Sequence, residues 1–141
     1  MSAESLDVFF YGLFMDADLF EAKGLRPRDP RRARIEGYGL RIGERATLVP
    51  ADDEMAHGVV MALTEDELAR LYAEPSVSDY RSELLEARLD DGRPLTVACY
   101  LLPKELAGGE VNRQYAAELA ELAHRLGLPA EYVAEIERLR G

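Results

Sequence analysis

The chain has 141 residues, of which 48% are hydrophobic and 31% are charged, a composition typical of a globular domain and not of disorder, collagen or a repeat array. Lys and Arg total 17 against 27 Asp and Glu, for a formal net charge of −10, which disfavours binding to a phosphate backbone. The one cysteine excludes an intramolecular disulfide, and the sequence shows neither a signal peptide nor an apolar run near the roughly 18 residues of a membrane span. We therefore expect a single cytoplasmic domain over residues 1–141, without nucleic-acid or membrane partners.

The first predicted element is a buried strand of aromatic and β-branched residues, Val8–Tyr11. Gly12 ends this strand, and Asp16 is placed to cap a short helix that closes at Gly24. Two prolines and five arginines follow within residues 26–34, and this composition predicts an exposed loop. Its basic charge either balances the acidic body of the protein or gathers an anionic ligand or partner.

Three strand-like stretches come next: GYGLRIG, RATLVP and HGVVMAL. The acidic stretch PADDEMAH joins the last two. Its acids could be cation ligands, but they lack the spacing of an EF-hand, so the stretch is predicted as a solvated turn. Thr64 then starts a helix, because Thr64 and Glu67 have the spacing of a capping box. We expect this helix to end just before Pro75, which disfavours helical backbone in the preceding residue.

The last third of the chain predicts a hairpin followed by helices. An Asp-Gly turn separates the strand-like runs ELLEARL and LTVACYLL. Cys99 falls on the apolar face of the second run, which indicates a small core residue and not a nucleophile. From Asn112, a predicted helix cap, the pattern is helical to the end, with a break at Gly127. About six strands followed by helices favour an α+β fold built on a small barrel or a strongly curled sheet.

Two features are candidate sites, since the chain has no phosphate-binding loop, no G-x-S-x-G elbow and too few His and Cys residues for a soft-ligand metal site. The first is the strand end at Gly12, where the main-chain amides of Leu13, Phe14 and Met15 can face one concavity suited to a carboxylate or a polarised carbonyl. An ordinary strand-to-helix turn has the same pattern. The second is Glu74, whose partial burial would raise the pKa of its carboxyl toward the range for proton transfer. An exposed glutamate at a helix end is the alternative.

The order of these motifs resembles that of the γ-glutamylcyclotransferase-like, or AIG2-like, superfamily. The resemblance runs from about Val8 to Leu102. It rests on the segments VFFYGLFM, GYGLRIG and HGVVMAL, the helix leading to Glu74, Tyr80, and the strand LTVACYLL. The resemblance implies a small mixed β-barrel with flanking helices and a cavity at one side. It also implies a monomer or a homodimer, with a helical segment from about residue 112.

The resemblance implies a reaction and the residues for it. A transferase or lyase of this kind would cyclise a γ-glutamyl amide to 5-oxoproline and release an amine or amino acid, with no metal and no cofactor. Glu74 would act as general acid/base and Tyr80 would line the pocket. The loop that would hold the γ-glutamyl group consists of Tyr11, Gly12, Leu13, Phe14 and Met15.

One departure from the family pattern keeps three interpretations open. Family loops usually carry serine or threonine after the glycine, and often asparagine next, where this chain has Leu13 and Phe14. The chain is therefore interpreted as this enzyme, as a non-catalytic module that binds a small metabolite, or as a protein–protein component. The last would use the arginine stretch or the C-terminal helices as its surface.

Overall fold

The computed structural model describes residues 5–75 and 77–140, so residues 1–4, Ser76 and Gly141 lie outside the described residues. Within the described part, five strands close into a barrel. They are β1 (Ser5–Phe10), β2 (Arg28–Ile42), β3 (Ala46–Thr64), β4 (Arg81–Leu89) and β5 (Pro94–Leu101). Their order around the barrel is β1, β3, β2, β4, β5, and only the closing pair, β1 with β5, is parallel among these strands. The predicted small mixed barrel with flanking helices is confirmed.

Helices flank the barrel, and local side-chain caps set their starts. They are α1 (Ala17–Ala22), α2 (Glu65–Leu71), α3 (Arg113–Arg125) and α4 (Ala130–Arg140), with short 3₁₀ turns at Leu13–Met15 and Lys104–Leu106. Asp16 Oδ1 accepts from the Asp18 amide at 3.0 Å, and Asn112 Oδ1 accepts from the Tyr115 amide at 3.0 Å. Thr64 and Glu67 form the reciprocal capping box. All three predicted caps are confirmed, because such bonds span only a few residues of chain.

The predicted number of strands was wrong, because RATLVP and HGVVMAL belong to one continuous strand, β3. Both segments pair with the same neighbour, β2, so the chain does not reverse between them. The register passes from Glu36 opposite Met55 to Tyr38 opposite Pro50. Residues 51–54 therefore form an irregular bulge inside the strand, and not the predicted turn.

The arginine stretch was also predicted incorrectly, since most of it lies in β2 and not in a loop. Pro30 is tolerated there because the ladder with β3 is interrupted between Arg28 and Arg31. Three of its arginines pair with acids: Arg28 with Glu67, Arg31 with Asp7 and Arg32 with Asp90. These pairs support the interpretation that the basic charge balances the acidic body.

The core fills the barrel and continues under the C-terminal helices. Phe9, Val60 and Cys99 are at most 1% exposed, and the inner face of α3 is equally buried at Ala116 and Leu119. Burial raises the pKa of the Cys99 thiol to about 12, with a smaller contribution from Glu83. Cys99 is therefore the small core residue that the pattern predicted. Within residues 5–75 and 77–140, no helix combines the length and the apolar character needed to cross a bilayer.

Candidate active site

A cavity of about 390 Å³ opens at one end of the barrel. At this end β1, β2 and β5 finish while β3 and β4 begin, so several strand ends and connecting turns contribute to its wall. Aromatic residues are the largest group among those that line it: Phe9, Phe10, Tyr11, Gly12, Leu13, Phe14, Leu19, Glu44, Arg45, Ala46, Tyr72, Glu74, Val77, Tyr80, Tyr100, Asn112 and Tyr115. The cavity thus brings together five of the six residues assigned to the substrate loop and pocket, and adds Glu74.

Met15 is the residue of the predicted loop that does not line this cavity. Its side chain is 2% exposed, and its amide donates to the Gly12 carbonyl at 3.0 Å within the 3₁₀ turn. The amide of Leu13 also has a protein partner, the Tyr115 hydroxyl at 3.3 Å. The structure therefore places Leu13 and Phe14 on the wall and uses the Met15 amide to shape the turn.

Gly12 is required by space and not by its backbone angles. Its φ is −114°, which any residue adopts. A Cβ atom at this position would lie 2.4 Å from the Tyr115 hydroxyl oxygen, closer than atoms can approach. The glycine therefore allows α3 to bring Tyr115 against the end of β1, and that contact closes one side of the cavity.

Glu74 lies beyond the helix that was expected to carry it. Helix α2 ends at Leu71, where the Tyr72 amide donates a hydrogen bond to the Leu68 carbonyl at 3.0 Å. The prediction that the helix ends just before Pro75 was therefore wrong. Glu74 instead starts a turn in which its carbonyl accepts from the Val77 amide at 3.0 Å. Pro75 disfavours helical backbone at Glu74, so this residue lies in the turn and not in α2.

An ion pair holds the Glu74 carboxylate at the cavity wall. Its Oε1 accepts from Lys23 Nζ, at the end of α1, and the two side chains are 42% and 28% exposed. Glu74 is therefore half-buried, between the two alternatives of a buried and a fully exposed carboxylate. The sequence offered no signal for Lys23, since the two residues are 51 positions apart.

The tyrosines of the cavity tie main-chain segments together. Tyr11 donates to the Tyr100 carbonyl at 2.6 Å, and Tyr80 donates to the Ala46 carbonyl at 2.6 Å. Burial raises the pKa of both phenols. At neutral pH they stay protonated and act as hydrogen-bond donors.

An aromatic wall, formed by Phe14, Tyr72 and Tyr100, is a feature that sequence reasoning missed. The rings of Tyr72 and Tyr100 stack at 3.9 Å with an interplanar angle of 10°, and Phe14 meets Tyr72 edge-on at 6.1 Å. Five of the seven tyrosines of the chain line the cavity. Their number is visible in the composition, but their convergence is not, because they come from four separate elements and loops.

Comparisons with known proteins identify the family and the fold. A family model described as "Gamma-glutamyl cyclotransferase, AIG2-like" matches residues 8–124. No curated protein gave a significant sequence match.

Among solved structures, an uncharacterized protein from Homo sapiens superposes with a TM-score of 0.79 at 21% identity, covering 95% of this chain and 87% of that one. YkqA from Bacillus subtilis superposes with a TM-score of 0.78 at 23% identity, covering 96% of this chain and 54% of that one. A structure named "Gamma-glutamyl cyclotransferase" gives 0.77 at 20% identity, with 95% and 87% covered. At these identities the likeness shows the fold alone.

Proposed function

Because this chain belongs to the gamma-glutamyl cyclotransferase, AIG2-like family, we propose that it cyclises a γ-glutamyl amide to 5-oxoproline and releases an amine or amino acid. The observation that carries the proposal is that Glu74 and the loop Tyr11–Phe14 line one cavity. A volume of about 390 Å³ lies within the range of small-molecule sites.

The proposed reaction moves two protons and exchanges one C–N bond for another. The α-amine nitrogen attacks the γ-carbonyl carbon of the same glutamyl group, which forms the ring C–N bond while the amide C–N bond to the leaving amine breaks. Glu74 takes one proton from the α-ammonium group and returns it to the leaving nitrogen, so the carboxylate is regenerated. The ring nitrogen loses a second proton as the lactam forms, and the released amine takes up that proton and leaves as an ammonium ion. Because the attack is intramolecular, correct folding of the substrate is worth an effective molarity of about 10⁵ M or more.

The surroundings of Glu74 suit this role. Lys23 holds the carboxylate in place from outside the lining of the cavity, and the protonated tyrosines do not compete for the proton. The other carboxylate on the wall, Glu44, is exposed. The loop at Gly12 faces the same space, so it can contact the γ-glutamyl group there.

A second candidate function is a non-catalytic module that binds a small metabolite. The observation that favours it is the apolar character of the loop, since Leu13 and Phe14 line the cavity without a hydroxyl or amide side chain. Phe14 also packs against Phe20 at 5.8 Å and joins the aromatic wall. Such a wall binds an apolar group without taking part in proton transfer.

A product assay separates the two functions. Purified protein is incubated with γ-glutamyl amino acids, γ-glutamylamines and glutathione, and 5-oxoproline is quantified. We expect Glu74→Gln to lower the rate at least about a hundredfold, because glutamine keeps the shape and loses the proton-carrying group. Glu121→Gln, on the exposed face of α3, is the matched control and should leave the rate unchanged.

The outcomes of this assay are distinct. No 5-oxoproline from folded wild-type protein across the panel would favour the binding module. If the wild type forms 5-oxoproline and Glu74→Gln forms it at the same rate, the proposed reaction stands but Glu74 is not its general acid/base. Melting curves of both variants show whether each is folded at the assay temperature.

A further inference from the structure

The cavity wall has few charged residues, and they include two carboxylates and one cation. Among the described residues that line the cavity, the charged ones are Glu44, Arg45 and Glu74, so Arg45 is the one cation of this set. The ammonium group of Lys23 contacts Glu74 and does not belong to the lining. Every γ-glutamyl amide carries an α-carboxylate, and moving that anion into an aromatic cavity is costly unless a cation receives it.

The turn that carries Arg45 is held rigidly. It connects β2 with β3, and the Glu44 amide donates to the Gly108 carbonyl at 3.2 Å. The Asn112 amide donates to the Gly43 carbonyl at 2.9 Å. A Cβ atom on Gly43 would lie 2.0 Å from the Gly108 carbonyl oxygen, so the two segments pack in direct contact. A ligand that meets Arg45 therefore does not have to order this turn, which lowers the cost of binding.

The neighbours of the guanidinium include a carboxylate and an aromatic ring. Its Nη1 is 3.2 Å from Asp79 Oδ2, and its Cζ lies 5.9 Å from the centre of the Tyr80 ring. The side chain is 32% exposed, which keeps it accessible to a ligand. A guanidinium has five N–H donors in a planar fork, so it can contact Asp79 and a second carboxylate together.

We propose that Arg45 binds the α-carboxylate of the γ-glutamyl group, an inference that rests on the proposed function. Arg45 then recognises the part of the substrate that all γ-glutamyl amides share, while the aromatic wall contacts the leaving group. With the carboxylate held at the turn between β2 and β3, the γ-carbonyl extends toward the loop at Gly12. Arg45 is in this sense a substrate-binding residue of the cavity, and Glu74 the group that moves the proton.

The test is a binding cycle with two amides that differ only in the α-carboxylate. The probes are γ-glutamylbenzylamide and 4-amino-N-benzylbutanamide, titrated by calorimetry into protein that carries Glu74→Gln to prevent turnover. Removing the guanidinium with Arg45→Gln should weaken binding of the first amide about ten- to a hundredfold, as should removing the carboxylate from the ligand. Making both changes together should weaken binding no further than either alone.

Two control variants separate ligand binding from a structural role. Asp79→Asn breaks the ion pair between Arg45 and Asp79 but leaves the guanidinium in place. Added to the Glu74→Gln protein, this substitution should leave binding of the γ-glutamyl amide as tight as before, or tighter. Arg41→Gln removes an arginine that is paired with Glu54 outside the cavity, and it should leave both affinities unchanged.

The proposal is overturned if Arg45→Gln weakens both amides equally, or if it weakens neither. It is also overturned if Asp79→Asn is as harmful as Arg45→Gln, because Arg45 would then act through the ion pair. Release of 5-oxoproline by the wild type is measured separately. If the wild type forms product but the binding cycle fails, the role of Arg45 is rejected and the proposed reaction stands. If the binding cycle succeeds but no product forms, the proposed reaction is rejected and the role of Arg45 stands.

Discussion

The aromatic cavity and a second depression, on the surface between β3 and α4, use tyrosine in opposite ways. The second depression, here the acidic groove, has a volume of about 270 Å³ and is lined by Leu40, Asp53, Glu54, Met55, His57, Pro129, Glu131, Tyr132, Glu135, Ile136 and Leu139. In the cavity, the hydroxyls of Tyr11, Tyr80 and Tyr115 bond main-chain groups of other segments. In the groove, the buried hydroxyl of Tyr132 has no hydrogen-bond partner among the described residues, although the main-chain amide of His57 lies near it.

This difference indicates which of the two regions is preorganised. Tyr11, Tyr80 and Tyr115 each join segments that are distant in sequence, which preorganises the wall, as binding and catalysis require. The groove is built by packing a helix against a strand, and by hydrogen-bond geometry the buried hydroxyl of Tyr132 is unsatisfied among the described residues. The preorganised region is also the one that contains Glu74.

The largest effect is expected from Gly12→Ala, which places a methyl group against the Tyr115 hydroxyl in the cavity wall. The added methyl would lie 2.4 Å from the Tyr115 hydroxyl oxygen, so the loop or α3 must move. We expect the free energy of unfolding to fall by about 1–3 kcal/mol, the usual cost of overpacking. Chemical denaturation with the wild type as reference measures it.

A second substitution tests the cause. In Gly12→Ala combined with Tyr115→Phe the hydroxyl oxygen is gone, and the next Tyr115 atom, Cζ, is 3.7 Å from the new methyl, an ordinary contact. The double variant should recover part of the lost stability. A double variant less stable than Gly12→Ala alone would show that the contact with Tyr115 is not what the alanine disturbs.

The same substitution in the two regions should have opposite signs. Tyr115→Phe removes the acceptor of the Leu13 amide and should cost about 0.5–1.5 kcal/mol of stability. Tyr132→Phe removes a buried hydroxyl without a hydrogen-bond partner among the described residues, and it should be neutral or stabilising by up to about 1 kcal/mol. Paired denaturation curves compare the two, and equal losses of stability would contradict the distinction between cavity and groove.

The smallest expected effect is a pH dependence that comes from the groove. Burial, and then the positive charge of Arg34, lower the pKa of His57 from 6.5, while Asp90 and Glu135 act in the opposite direction. The folded state therefore prefers the neutral imidazole, and stability present above pH 6.5 is lost as the pH falls below that value and the unfolded chain takes up the proton.

Comparison with His57→Gln isolates this contribution. The thermal midpoint of the wild type should fall more than that of the variant between pH 7 and pH 5. Carboxylates such as Glu67, whose pKa is lowered by main-chain and Arg28 hydrogen bonds against the effect of its burial, lose their stabilising interactions at lower pH and in both proteins. Parallel midpoints over this range would show that His57 does not couple protonation to folding.

Local signals in the sequence were sufficient where the interactions are local. The caps at Asp16, Thr64 and Asn112 span three residues or fewer, and the hairpin of β4 and β5 follows from one Asp-Gly turn. Predictions that required knowledge of the partner strand were less successful. The acidic stretch 50–57 was predicted as a turn, whereas pairing with β2 on both sides makes it part of β3.

The sequence by itself determined the helix starts, the apolar face around Cys99 and the order of motifs that resembles the family. It also singled out Glu74 and the loop at Gly12 as places for chemistry. Only the tertiary structure decided that they share one cavity, that Lys23 pairs with Glu74 across 51 positions, and that Tyr115 reaches Leu13 across 102. The reason is physical: a cap depends on neighbours in the chain, whereas a cavity at the end of a barrel depends on the register and closure of all its strands.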